Sequence, residues 1–289
     1  MAGQVLNFER LRDEELSILS HDDELDILDL FESVISSSPE PNIEELSQRL
    51  TDGLVRLAPG KSFREQTLPM STWWALNRIA GCIPHTHYGQ EVLASTVRKL
   101  NEVEGWRALP DIWIQMRETW NSMPSWKPGC DDSEHVFTLE EWLNLNSFAA
   151  RLYDGPCGSL FDSFAVSAMS TGLEGERDGD HDRSTPENCL QVACEWAVQG
   201  GRRLMQESLQ STYANPLEKL ESRYWSPYSI GPLFTGSRGF TLERWGFWKR
   251  RLYELQEDKS YSETTYELID EAIEAMSIIE EELTRVFHE

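Results

Sequence analysis

Apolar residues recur along the chain at three- and four-residue intervals, and strand-like alternation is scarce, so the pattern predicts helices from end to end. Leu25, Leu28, Val34 and Ile35 make a first series behind Asp22 and Asp23, broken by Ser36-Ser37-Ser38-Pro39. Ile43, Leu46, Leu50, Leu54 and Leu57 make a second, stopped by Pro59-Gly60. A third helix is predicted over about Ser71 to Cys82, ended by Ile83-Pro84. A fourth, about Gly89 to Val103, carries Val92, Leu93, Val97 and Leu100 on one side. Toward the C-terminus, residues 262–287 place Tyr266, Ile269, Ile273, Met276, Leu283 and Val286 on one stripe with acidic residues elsewhere. Packing on the body is the expectation for that helix; the same spacing serves a coiled-coil seam, so a homodimer through it is the alternative. The expected fold is all-α: one multi-helix domain of about ten to eleven helices. Acidic N-terminal helices within 1–60 pack on a body formed by 61–289.

Two helix starts share one grammar. Phe137-Thr138-Leu139-Glu140-Glu141-Trp142 and Phe240-Thr241-Leu242-Glu243-Arg244-Trp245 differ at a single position. In each, Thr caps the first turn, acidic residues favour the positive end of the helix dipole, and Phe and Trp are placed as a hydrophobic staple. Shared capping chemistry accounts for so short a match better than duplication does. Between helices, Glu174 to Glu187 has no large apolar residue and reads as an acidic disordered insertion. Asn121 to Glu134 is a second loop, rich in Pro, Gly and Ser, with Trp126 to pin it. Gly231 to Phe240, with three glycines and a proline, reads as a shaped turn that docks Phe234 and Phe240 into the core. Anion capture by its backbone amides at the next helix start is the functional alternative.

Charge narrows the function. The chain has 289 residues and a formal charge of −24, with 39% hydrophobic residues and 11 Trp. Residues 1–53 hold 14 acidic and 3 basic side chains, and residues 254–289 hold 12 and 2, so the excess sits in the two terminal segments. Binding nucleic acid needs Lys and Arg to displace counterions, and the densest basic spot is only Lys249-Arg250-Arg251. No nucleic-acid partner is expected. The longest charge-free stretch, Tyr224 to Ser237, is broken by Pro227 and Pro232, which argues against a membrane span. The N-terminus turns acidic within ten residues, unlike a leader peptide. Five cysteines without framework spacing point to reduced thiols and an intracellular, cytoplasmic setting.

Motifs with chemical meaning are weak. Asp22-Asp23-Glu24-Leu25-Asp26 fits an aspartate-rich magnesium–diphosphate pattern but lacks a companion metal site, and acidic residues opening a helix explain it. Asp178, Asp180 and Asp182 imitate half a calcium loop, with Arg183 where glycine is needed. Gly60-Lys61-Ser62 lacks the first P-loop glycine. His85 and His87 stand at a helix entrance, where capping or surface roles are expected ahead of a metal site or proton relay. No metal, cofactor or catalytic residue is assigned.

Several segments together resemble a known family. They are Ile83-Pro84 after a Trp-bearing helix, Trp142-Leu-Asn-Leu-Asn-Ser-Phe-Ala-Ala-Arg-Leu152, and Trp196 with Gly200 and Gly201. Gly231-Pro232-Leu233-Phe234 and Gly239-Phe-Thr-Leu-Glu-Arg-Trp-Gly-Phe-Trp-Lys249 complete the set. Over roughly Met70 to Phe287 the chain resembles a largely fungal family of intracellular helical proteins catalogued as a domain of unknown function. The resemblance implies an all-α fold and carries no activity or catalytic residue.

Read physically, Trp142, Leu145, Asn146, Ala149 and Leu152 share one helix face, with Asn144, Ser147 and Arg151 on the other. Asn146 is an amide on an apolar stripe, and burying it unpaired would cost on the order of 1–3 kcal/mol, so it must bond to backbone or to a ligand. In the later helix Trp245, Trp248, Leu252 and Leu255 make the core stripe. Arg244, Phe247 and Arg251 form a second surface that packs on a helix or holds an acidic group. Trp142, Asn146, Arg151, Arg244 and Trp248 are therefore the candidate ligand-binding residues. Strong packing motifs beside weak chemical ones point to a non-catalytic binding or protein-interaction module. Its partner is a protein or a small apolar or acidic ligand. The alternative is a small-molecule enzyme of secondary metabolism with an aromatic-lined pocket.

Overall fold

The computed structural model describes residues 6–13, 21–35, 42–57, 68–124, 136–155, 158–175, 187–212, 228–258 and 260–286. Among these residues it holds twelve α-helices and no strand, eleven of the helices seven residues or longer, in line with the all-α expectation. The chain divides into two compact units, Met1–Phe148 and Ala149–Glu289.

The first unit contains α1 (Glu9–Asp13), α2 (His21–Ile35), α3 (Ile43–Leu57), α4 (Leu68–Cys82), α5 (Tyr88–Leu100), α6 (Ile112–Trp120) and most of α7 (Leu139–Tyr153). Helix α3 packs on α5, and α2 packs on both α3 and α4. Leu46, Leu50 and Leu54 bury the predicted stripe of α3. Leu30 lies over Gly53, where an added Cβ would come within 2.5 Å of Leu30 Cδ1, so a side chain here would displace that leucine. On α4, Trp73 meets Trp106 edge to face at 5.6 Å, and its indole N–H donates to the Pro110 carbonyl at 2.7 Å.

Helix α5 stops at Leu100, earlier than the predicted Val103. The turn that follows holds Ala108, Leu109 and Asp111 at φ of 66°, 45° and 63°. Non-glycine residues in this left-handed region cost roughly 1–2 kcal/mol each, and burial of Trp106 before the turn, Leu109 within it and Ile112 after it keeps it in place.

The second unit holds the end of α7, a 3₁₀ turn at Gly158–Phe161, α8 (Asp162–Leu173), α9 (Glu187–Gln199), α10 (Gly201–Gln210), α11 (Leu242–Gln256) and α12 (Glu263–Val286). Helices α8 and α9 cross at Gly172, where a Cβ would meet the Ala193 Cβ at 2.5 Å. Helix α12 lies along α9, α10 and α11 and buries Leu268, Ile269, Ala272, Ile273, Met276 and Ile279. Of its predicted stripe, Ile269, Ile273 and Met276 are buried and Tyr266 and Leu283 are half-buried, while the side chain of Val286 lies outside the described residues. Glu280 ties α12 to α11, accepting from the Trp245 indole N–H at 2.7 Å and pairing with Lys249 at 2.5 Å. Burial pushes the Cys189 thiol up to about 12, and that of Cys194 higher still, with Glu195 and Glu271 adding to the latter.

Residues 176–186, the interior of the expected acidic insertion, lie outside the described residues, as do Trp126, the Gly60-Lys61-Ser62 segment and Asp178 to Asp182. The two ends of the insertion are described, and both are fastened. Glu174 is completely buried. Glu187 opens α9 and caps α12, its Oε1 accepting from Ser262 N at 2.8 Å and Ser262 Oγ at 2.5 Å. Those bonds outweigh the opposing effect of burial and hold the Glu187 carboxyl below its ordinary range.

Candidate functional site

The start of α11 places Arg244. Thr241 Oγ1 accepts from Arg244 N at 3.1 Å, the predicted cap, and this turns the Arg244 side chain toward the core. The guanidinium is completely buried against the equally buried Glu174, the residue that follows α8. Arg244 Nε donates to Glu174 Oε1 at 2.6 Å and Nη2 to Oε2 at 3.1 Å, a forked pair. Its remaining N–H groups reach carbonyls: Nη2 that of Ser229 at 2.8 Å, and Nη1 those of Gly239 at 3.0 Å and Tyr228 at 3.4 Å. Glu174 accepts further from Trp248 Nε1 at 2.7 Å, Gly231 N at 2.7 Å and Ser170 Oγ at 3.0 Å. The guanidinium carbon lies 5.3 Å from the Trp248 ring centroid and 5.8 Å from that of Phe234. Both charges are thus bonded on every side, which is what a buried ion pair needs to offset its desolvation.

The glycine-rich loop completes this arrangement. A Cβ on Gly231 would lie 2.5 Å from Glu174 Cβ and 2.7 Å from its carbonyl oxygen, so only glycine permits the approach. The loop meets its anion, and the anion is internal: Gly231 N bonds the Glu174 carboxylate and Leu233 N its carbonyl, at 3.1 Å. Phe234 and Phe240 are buried as well, so docking and anion capture occur together.

The other candidates fall in different surroundings. Trp142 is buried against Trp120 and Phe137, at centroid distances of 5.1 and 6.1 Å. Asn146 Nδ2 donates to the Trp142 carbonyl one turn back, at 2.9 Å, so backbone receives it. Arg151 Nη1 stands 3.9 Å from the buried Glu195 carboxylate. Trp142 and Asn146 belong to the first unit, whereas Arg151, Arg244 and Trp248 belong to the second. Of the five, Arg244 and Trp248 converge on one group, Glu174.

The face assignment for α7 needs correction. Residues 142–150 are buried all round, including Asn144 and Ser147, which helical periodicity put on the outer side. Asn144 Oδ1 accepts from His85 N and its Nδ2 donates to the Gly81 carbonyl, both at 2.8 Å. Gln90 Nε2 donates to the carbonyls of Ala80, Ile83 and Asn144, so two amides clamp the end of α4. His87 caps α5, its Nδ1 accepting from Gly89 N at 3.0 Å, and burial lowers its pKa.

Two features had no clear signal in the sequence. Glu174 sat at the edge of an acidic run. Tyr153, at the end of α7, has a fully buried hydroxyl without a hydrogen-bond partner among the described residues. Arg203 stacks over its ring at 5.4 Å, and Asp162 and Glu207 face it. Burial first, then these two carboxylates, drives its ionisation far above an ordinary phenol, with Arg203 opposing. Arg203 pairs with Glu207 at 2.9 Å, stands 3.9 Å from Asp162, and leaves Nε unbonded among the described residues.

A family model matches residues 73–252, from Trp73 on α4 to Leu252 on α11, taking in the Trp142–Leu152 and Gly231–Lys249 segments but stopping short of α12. No curated protein and no solved structure matches the chain. No described helix is long and apolar enough to cross a membrane. With more than half its length matched, the chain belongs to the family described as Protein of unknown function (DUF3632).

Proposed function

We propose that the protein is a non-catalytic, cytoplasmic interaction module that binds another protein through the outer face of α6. One observation carries this reading: Trp113 and Ile114, adjacent at the start of α6, are 39% and 42% exposed. They follow directly on the turn in which three non-glycine residues hold positive φ. Large apolar side chains grouped in water mark interaction sites, and backbone strain collects at functional segments. Arg117 and Glu118 on the same face pair with each other at 2.7 Å, so the partner fitted here offers an apolar anchor more than a compensating charge. The test is a partner that co-purifies at fixed stoichiometry and rebinds in purified form. Trp113→Ala is expected to weaken that binding by about tenfold or more, as a buried aromatic anchor does, while Ile278→Ala on α12 leaves it unchanged. Undiminished binding by the Trp113→Ala, Ile114→Ala double variant overturns the reading.

The small-molecule alternative draws on Tyr153, whose ring lies 5.7 Å from that of Trp196, centroid to centroid, under Arg203, and whose buried hydroxyl has no hydrogen-bond partner among the described residues. A stoichiometric small molecule seen by native mass spectrometry and lost in Tyr153→Phe would favour it.

A further inference from the structure

The outer face of α11 is a second surface, independent of the α6 reading. Leu242 and Tyr253 on it are 49% and 47% exposed. At about 100° per residue, Leu242, Glu243, Gly246, Arg250 and Tyr253 share an arc of roughly 100°. This arc lies opposite the buried Trp245, Trp248, Leu252 and Leu255. The other cations of α11 are engaged: Arg244 with Glu174, Lys249 with Glu280 and Arg251 with Glu254. Arg250 and Glu243 have no ion-pair or hydrogen-bond partner among the described residues, and both are exposed. They lie seven residues apart, about 10 Å along the axis, and no ion pair joins them, unlike Glu91 and Arg98 at the same spacing on α5.

Gly246 lies between them. A Cβ added there would meet nothing nearer than Arg250 Nη1, at 3.5 Å, so this glycine answers no crowding inside its own chain. A glycine on a helix face does let a second helix come close, because axis separation follows the side chains at the contact. The spacing is also self-complementary. The midpoint of Leu242 and Tyr253 and the midpoint of Glu243 and Arg250 fall one residue apart, on either side of residue 247.

We propose that α11 is the seat of a symmetric homodimer, in which a second copy packs antiparallel across Gly246. A two-fold axis near residue 247 sets Leu242 against the partner subunit's Tyr253 and Glu243 against the partner subunit's Arg250, and each contact occurs twice. The occupant is a second copy because one two-fold axis matches the unpaired cation to the unpaired anion and, at the same time, one exposed apolar side chain to the other. Local charge permits the approach, since α11 carries Arg244, Lys249, Arg250 and Arg251 against Glu243 and Glu254. The C-terminal helix is a poorer seat: Ile269, Ile273 and Met276 are buried in its own unit, and Glu267, Glu271 and Glu274 face outward.

Sedimentation velocity on the full chain at physiological salt, from micromolar to near-millimolar protein, tests this. The wild type is expected to shift from monomer to dimer with concentration. Gly246→Leu is expected to fold, since a Cβ there meets only the end of the flexible Arg250 side chain at ordinary contact distance and a helix glycine is replaced, and to stay monomeric. Arg250→Glu and Glu243→Arg each set like charges together and are expected to weaken the dimer about tenfold or more, with the double reversal restoring it to within about threefold. Thermal melting of each variant as a monomer checks that the fold is kept. A wild type monomeric throughout, a dimer undiminished in Gly246→Leu, or a double reversal without recovery overturns the proposal.

Discussion

The starts of α7 and α11, one in each unit, carry the same six residues but for one position. At α7 that position is Glu141, whose carboxylate accepts from Thr138 N at 2.8 Å while Glu141 N donates to Thr138 Oγ1 at 3.1 Å. This is a reciprocal capping box, reinforced by Arg10 at 2.8 Å. At α11 the position is Arg244, and the threonine half of the cap survives at the same 3.1 Å. The threonine hydroxyl therefore makes the helix start by itself. The third helical side chain is released for another purpose, and in α11 it reaches a carboxylate seventy residues upstream. One local signal can thus be half generic and half specific to the fold around it.

Breaking the specific half should have the largest effect. Arg244→Met leaves the Glu174 carboxylate buried and unpaired, with an expected loss of about 3–5 kcal/mol in urea unfolding. Glu174→Gln should cost a similar amount, because it leaves the Arg244 cation uncompensated and, in either orientation, turns the amide N–H2 toward hydrogen-bond donors. Making the two starts alike from the other side, Glu141→Arg loses the acceptor for Thr138 N and sets a cation at the positive helix end. About 1–2 kcal/mol is expected. Thr138→Ala and Thr241→Ala should each cost about 1 kcal/mol, and nearly equal values would confirm that the hydroxyl half is shared.

The smallest effect compares either threonine with His87, the cap of α5. Capping needs the neutral imidazole, and burial lowers its pKa from the ordinary 6.5. The contribution of His87 is complete above that ordinary value and is lost as pH falls through it toward the lower folded value. Protection of the Gly89 amide, taken relative to its intrinsic exchange rate, should therefore fall on acidification while that of Glu141 and Arg244 holds. His87→Asn, a cap that does not titrate, should flatten the Gly89 response.

What the sequence disclosed depended on how local the cause was. Helix α3 buries the face it was predicted to bury because its apolar spacing lies within the segment itself. Arg244 and Trp248 stood out as a cation and an indole among packing residues, and the acidic group one surface was expected to hold is Glu174. That partner stayed illegible, since a carboxylate at the edge of an acidic run has the hydropathy of a solvated one and only a distant residue makes it core. Asn144 was misplaced for a related reason. Periodicity assigns one inner face, whereas α7 is enclosed on every side over residues 142–150. The left-handed turn at Ala108, Leu109 and Asp111 carries no glycine there to announce it.

Glu174 and Glu187 fix the two points between which residues 175–186 must run, one inside an ion pair and the other on the first turn of α12. Once take-off and landing are anchored this way, the length of the intervening chain becomes almost a free variable. Doubling such a loop adds only about 0.6 kcal/mol of closure entropy. The segment is therefore the place where this fold should accept a foreign insert, such as a reporter peptide or a small domain with adjacent termini, without loss of its helices.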